Sequence, residues 1–367
     1  MNQSFRKSLK AALLSLAVLF GGITQADAVD VIDVDTSRVL VGAVPSFPDF
    51  YTPNQEASLR TELAAACKAA EAIWDARIIG YSTELPNSLR MQLTNLKIKC
   101  EIGEIDGLDG ILAQAGPDAV LGVTRTVKLN VEKNNTVPLE ATVTFDLEDL
   151  GQLSAAGLLT QVAAHEICHA IGFGSFILTE NGLSGPVNGI GLSQYNGGQY
   201  ALRSYRKESG NGVSGYIPLQ QTGEGSAGGH WALGVPVFDK IAINNSHDLM
   251  LAFVDVANPP NVYIAETTYA LLADVGYAVR GFNDHLVAPQ GAGTGRWPKI
   301  TGPGVDPFAG NGVRFDTDGL NFARVSGRND AIVSTKGAEG TPNAGTGSTN
   351  KLDPYGLRNH RWSKSTK

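Results

Sequence analysis

The sequence predicts a mixed α/β domain, and three observations carry that prediction. Between residues 55 and 280 two segments with a helical apolar period flank a block of strand-like segments. Those strand-like segments, Met91–Ile102, Val123–Val131 and Leu139–Phe145, are separated by the turn signals Asp106-Gly107, Asp109-Gly110 and Asn134-Asn135. With 43% hydrophobic residues in 367, the chain carries enough apolar material for a sizeable core, which excludes wholesale disorder.

Taken in order, Arg6, Lys7 and Lys10 precede the apolar stretch Ala11–Phe20, and Gly21-Gly22 and Ala26-Asp27-Ala28 follow it. A positive start, a short apolar core and an Ala-x-Ala exit predict a signal peptide over 1–28, cleaved after Ala28. The stretch is shorter than the ~20 residues a membrane span needs, so no transmembrane segment is expected. The expected destination is secreted, periplasmic or extracellular, where thiols can pair.

Residues 29–54 read as a lead-in without Cys. Thr52-Pro53 then opens a helix, because Thr caps, Pro suits the first turn and Gln55 completes a capping box. Leu59, Leu63, Ala66, Ala70, Ile73 and Trp74 continue it on one apolar face to about Arg77. Cys67 on this helix and Cys100 on the first strand-like segment form a possible disulfide, worth roughly 3–4 kcal/mol by loop closure. Two buried thiols are the alternative.

A second helix is expected from about Ser154 to Ile171, closed by Gly172. The next stretch, almost 60 residues, is rich in Gly, Asn and Ser and poor in pattern. Order returns around Ile241–Val256, and a last helix is expected over Thr267–Val275 before Gly276. Residues 281–367 differ in charge and composition. They hold 11 basic and 7 acidic residues and 15 of the 43 glycines, whereas 29–280 carries 15 basic and 28 acidic residues. This basic tail is expected to be flexible or to form a small β module, with strand-like pieces only near Val313–Phe315 and Ala331–Val333. The overall net charge of −7 disfavours nucleic acid as a partner.

The chemistry gathers on the second helix, in His165-Glu166-Ile167-Cys168-His169-Ala170-Ile171-Gly172-Phe173. Histidines four apart share a helix face, so both imidazoles can reach one ion, and zinc accepts neutral imidazole nitrogens at ~2.0–2.1 Å. Glu166 stands where a carboxylate can take a proton from water and pass it to a leaving amine. The helix around them is strongly apolar, so two His and a Glu there call for a task. A third ligand is needed. Ser175 occupies the position of a compact His-x-x-Gly-x-x-His arrangement, and the remaining histidines are His230, His247, His285 and His360. His230 follows the flexible run Gly225-Ser226-Ala227-Gly228-Gly229. Glu180, in a Gly/Asn loop, is a weaker candidate, Cys168 reads as a core residue, and His247 reads as an exposed turn residue.

Four ordered blocks then resemble the leishmanolysin-type metzincin peptidases. They are His165-Glu166-x-x-His169-x-x-Gly172-Phe173, Gly-Ser-Ala-Gly-Gly-His230-Trp231 with 57 residues between Gly172 and His230, Asp248-Leu249-Met250, and Ala270-Leu271-Leu272-Ala273-Asp274-Val275-Gly276-Tyr277. Val143–Leu150 resembles the segment leading into the active-site helix. The resemblance spans roughly residues 55–280 and implies one catalytic Zn²⁺ held by His165, His169 and His230, with Glu166 as general base. It implies a metzincin-type fold: an upper twisted sheet with two helices, and an irregular lower subdomain with a Met-turn at Met250 beneath the zinc. It also implies polypeptide substrates; the oligomeric state is open, with a monomer favoured. The rival expectation is a catalytically inactive metzincin-like binding or surface protein. A propeptide cysteine latch is not expected, since the lead-in has no Cys.

Overall fold

The computed structural model describes residues 31–41, 47, 51–90, 92–108, 110–127, 131–186, 193–222, 226–286, 320–324 and 330–334. The expected signal segment 1–28 and the piece Val313–Phe315 lie outside the described residues.

The fold is mixed α/β, as expected. The largest sheet has the order Ile32–Asp35, Leu96–Gly103, Val131–Asp146, Ile111–Val127, Asp330–Ser334, Phe253–Val254, with Leu320–Arg324 also pairing Ile111–Val127. The first three strands are parallel, and Ile111–Val127 runs antiparallel to Val131–Asp146. The capping box forms: the Thr52 amide donates to Gln55 Oε1 at 2.9 Å and the Gln55 amide to Thr52 Oγ1 at 3.3 Å. The helix it starts runs Pro53–Asp75 and buries Leu59, Leu63, Cys67, Ala70 and Trp74. At its end Trp74 Nε1 donates to the Ala164 carbonyl at 2.9 Å, which docks this helix on the His165 helix.

Three expectations change. Asn134-Asn135 is not a turn: Asn134 pairs with Thr124 and Asn135 with Val123 inside a long hairpin, and the chain reverses between Val127 and Val131. Cross-strand pairing, including Thr124 Oγ1 to Asn134 Oδ1 at 2.8 Å, overrides the local preference of Asn for turns. The second helix is two helices, Leu150–Ala155 and Leu159–Ala170, parted at Gly157, whose φ of +70° breaks the helical path. The pattern-poor stretch after Gly172 contains the helices Ser175–Glu180 and Gln199–Ser209 and a three-stranded sheet of Ser184–Pro186, Ser193–Tyr195 and Ile217–Pro218.

The last helix, Glu266–Val275, ends at Gly276 as expected. Tyr277–Val279 then pairs antiparallel with Ile78–Tyr81, tying the end of this region back to the first helix. The run Leu159–Glu180 is apolar enough by composition to cross a membrane, yet most of it is buried inside the fold.

Candidate metal centre

The Leu159–Ala170 helix is buried along almost its whole length, including His165, Glu166 and His169. It ends in a left-handed glycine turn. The Phe173 amide donates to the Cys168 carbonyl at 3.0 Å and the Gly172 amide to the His169 carbonyl at 3.0 Å. Gly172 has φ +122°, and a Cβ there would lie 3.1 Å from Val275 Cγ1. This turn folds the Phe173 carbonyl back onto His169.

His230 comes from the loop after Pro218. Its carbonyl accepts from the Gln220 amide at 2.9 Å, and Gly228, at φ +81°, lets the chain double back. Trp231 anchors the loop. Its amide donates to the Met250 carbonyl at 3.2 Å, its indole N–H donates to Thr268 Oγ1 at 2.8 Å, and its ring stacks on Phe238 at 4.6 Å.

These elements bring three ring nitrogens together. His165 and His169 Nε2 lie 2.9 Å apart, His169 and His230 Nε2 2.8 Å, and His165 and His230 Nε2 3.1 Å. Each opposite nitrogen meets a backbone carbonyl: His165 Nδ1 with Leu249 at 2.6 Å, His169 Nδ1 with Phe173 at 2.6 Å, and His230 Nδ1 with Ser226 at 3.0 Å. A carbonyl only accepts, so each Nδ1 carries the proton and each neutral ring turns its Nε2 lone pair inward. Burial, with His169 second, holds His165 well below the usual histidine range, which keeps it neutral. Three lone pairs converging in a buried space repel one another unless a cation lies between them, and carbonyl-fixed imidazoles are how proteins orient metal ligands. Ideal tetrahedral coordination at ~2.0–2.1 Å puts such nitrogens about 3.3 Å apart, so a small outward shift accommodates an ion. The three histidines can therefore hold a metal ion; they are the one such group of His, Cys, Asp or Glu among the described residues.

The turn beneath the rings is built on Asp248. Its carboxylate accepts from the Met250 amide at 2.8 Å, the Ala265 amide at 2.6 Å, and Thr268 Oγ1 at 3.1 Å. Met250 is fully buried, and the Leu249 carbonyl of this turn is the one that fixes His165. Burial pushes Asp248 up to about 7. Asp248, Thr268 and Trp231 emerge as positioning residues only in the structure; the sequence signal was that Asp248 lies two residues before Met250, Trp231 directly follows His230, and Thr268 lies on the Glu266–Val275 helix.

Other candidates resolve differently. His247 is not an exposed turn residue. It is 3% exposed, because Ser246–Asp248 is the middle strand of a small sheet between Asp239–Lys240 and Asn261–Tyr263. Burial lowers its pKa to about 4. Cys168 is a buried core thiol, pushed well up by burial, and Glu180 is no part of the metal group. Cys67 and Cys100 are free buried thiols, not a disulfide. They meet between the Pro53–Asp75 helix and the Leu96–Gly103 strand, where burial and then the Cys67 thiol keep Cys100 protonated.

The fold and site together define an α/β protein with a buried three-histidine centre able to hold a metal ion. No family model matches the chain, and no curated protein matches it either.

Proposed function

We propose that this chain is a secreted zinc-dependent endopeptidase of the metzincin type, similar to the leishmanolysin group. The observation that carries the reading is the convergence of three carbonyl-fixed histidines, two of them on the helix that also carries the buried Glu166. Imidazole-only ligand sets suit zinc, and three of them leave a fourth position open. The Asp248–Leu251 turn under His165 supports the metzincin assignment, with Met250 as its Met-turn residue. The Lys/Arg-led apolar stretch before Ala28 supports export.

Bound zinc supplies Lewis acidity, polarising a peptide carbonyl and lowering the pKa of water to about 7. His165, His169 and His230 would hold the ion, and their backbone partners keep the rings from turning away. Glu166 takes a proton from the attacking water as the new C–O bond forms. It then gives that proton to the amine as the C–N bond breaks, so no covalent enzyme intermediate arises. The Asp248 network and Trp231 keep the His230 loop and the turn in register.

The test is casein proteolysis by the zinc-loaded protein. Activity is expected to vanish with a chelator and in Glu166→Ala, while Glu166→Ala retains its zinc. Proteolysis that survives Glu166→Ala overturns the mechanism. A protein that takes up one zinc and cleaves nothing supports the inactive binding-protein reading instead.

A further inference from the structure

The outer edge of the Ile111–Val127 strand is occupied by the chain's own tail. Leu320–Arg324 pairs antiparallel with Val123–Ala119, and Asp330–Val333 pairs antiparallel with Ala115–Ile111. Both pieces run the same way along this edge, one against residues 119–123 and the other against residues 111–115. Beyond it, Val333 and Ser334 also pair in parallel with Phe253 and Val254, just past the Met250 turn. The backbone of Asp330–Ser334 packs on the helix that carries His165 and His169. This short strand thus bridges the sheet edge and the segment just past the Met250 turn, against the helix that bears two of the three histidines.

We infer that the C-terminal tail is a built-in occupant of a peptide-binding edge, and that it must leave before an outside polypeptide can reach the His165, His169 and His230 centre. The inference rests on the peptidase reading for its purpose and on strand pairing for its mechanism. An exposed strand edge offers backbone N–H and C=O groups to any extended chain, whatever its sequence. A tail strand and a substrate strand therefore compete for the same hydrogen bonds.

Three features favour a removable occupant over a permanent strand. The paired runs are five residues each, and the second has a register shift between Ile332 and Val333. The tail is glycine-rich, with 15 of the chain's 43 glycines in its 87 residues, so ordering it costs more entropy than ordering an average segment. It is also basic, at 11 positive against 7 negative residues, whereas the 29–280 region to which its two strands pair carries 28 acidic against 15 basic residues. A tethered strand acts at an effective concentration of roughly 1 mM. If the tail binds the edge with a Kd of about 100 µM, an outside peptide is weakened about tenfold.

The test uses the full chain with Ala331→Pro and Ile332→Pro together. Successive strand residues aim their N–H groups at opposite edges, so one of the two prolines removes a donor toward Ile111–Ala115. A second protein carries a site-specific protease sequence inserted between Arg324 and Asp330 and is cut only after folding, which covers the case that the prolines impair folding. The probe is a fluorescein-labelled peptide of sequence Arg328–Lys336, followed by anisotropy, with hydrogen exchange at Ile111–Ala115 and casein hydrolysis measured in parallel.

Release is expected to speed exchange at Ile111–Ala115, to tighten probe binding at least tenfold, and to raise kcat/KM by a similar factor. Faster exchange with no gain in probe binding overturns the inference. Amides that stay protected in both released forms overturn it too, because the tail then does not cover that edge. Tighter probe binding with no hydrolysis in any form leaves this inference standing and removes the peptidase reading. Equal hydrolysis and equal probe binding before and after release do the reverse.

Discussion

Glu208 and Asp274 each cap the helix on which the other resides. Asp274, near the end of Glu266–Val275, accepts from the Tyr200 and Ala201 amides at 2.9 and 2.8 Å, at the start of Gln199–Ser209. Glu208, near the end of Gln199–Ser209, accepts from the Glu266 and Thr267 amides at 3.1 and 2.8 Å, at the start of Glu266–Val275. A carboxylate in the last turn of its own helix is electrostatically unfavourable; at the N-terminus of a neighbour it is favourable. The two antiparallel helices exchange these charges, and so the insertion before His230 is bolted to the closing helix.

Asp274→Ala is expected to cost about 1–3 kcal/mol in urea unfolding, since it strips two amide caps and the Tyr195 hydroxyl of their acceptor. Glu208→Gln, which keeps an acceptor oxygen, is expected to cost less than half as much. Equal losses from the two would show that charge exchange, not capping geometry, is the stabilising feature.

Gly172→Ala is expected to weaken zinc binding at least tenfold as well as destabilising the fold. The substitution forces φ +122° on a residue with a Cβ and presses it against Val275, displacing the turn that aims the Phe173 carbonyl at His169. Competition with a chromophoric chelator reads the affinity directly.

His230→Ala is expected to abolish the zinc-dependent rise in thermal stability. A ligand at 1,000 times its Kd stabilises by about 4 kcal/mol, so the wild type gains several degrees in Tm on zinc addition. A His230→Ala protein that keeps one tight equivalent and the full Tm gain would move the third ligand elsewhere.

The pH dependence of metal-free stability is expected to contain two opposed contributions. Burial raises Asp248 to about 7, so the folded state holds a proton that the unfolded chain releases near 4. Its contribution is present below pH 4 and is lost as pH rises through 7. Burial lowers His247 to about 4, so its contribution is present above its unfolded value of about 6.5 and is lost as pH falls through 4. The Asp248 contribution amounts to roughly 4 kcal/mol and that of His247 to roughly 3 kcal/mol. The deficit of Asp248→Asn should therefore shrink from pH 4 to 7, whereas His247→Gln should lose less stability than wild type on acidification from 6.5 to 4. Parallel profiles for wild type and both variants would refute the assignment.

Locally encoded features were legible. Thr52, Pro53 and Gln55 formed their capping box, Gly276 ended the last helix, and the four-residue spacing put His165 and His169 on one face. The Gln199–Ser209 helix was missed although Gly198 and Gly210 bracket it, with Gly210 at φ +68°. Its buried residues Tyr200, Ala201, Ser204 and Tyr205 repeat at helical spacing, but eleven residues inside a polar, glycine-rich stretch form too short a pattern to stand out.

By itself, the sequence determined which residues could ligate a metal and which helix bears two of them, because a helix period is a property of adjacent residues. Only the tertiary structure decided that the third nitrogen is that of His230, held 2.8 and 3.1 Å from the other two by contacts with Gln220, Met250 and Thr268. It also decided the ring tautomers, through carbonyls of Leu249, Phe173 and Ser226, and the partners of Asp274 and Glu208. Those relationships join groups far apart in the chain, and no local period or capping preference encodes them; they exist only once the packed core holds both ends in place.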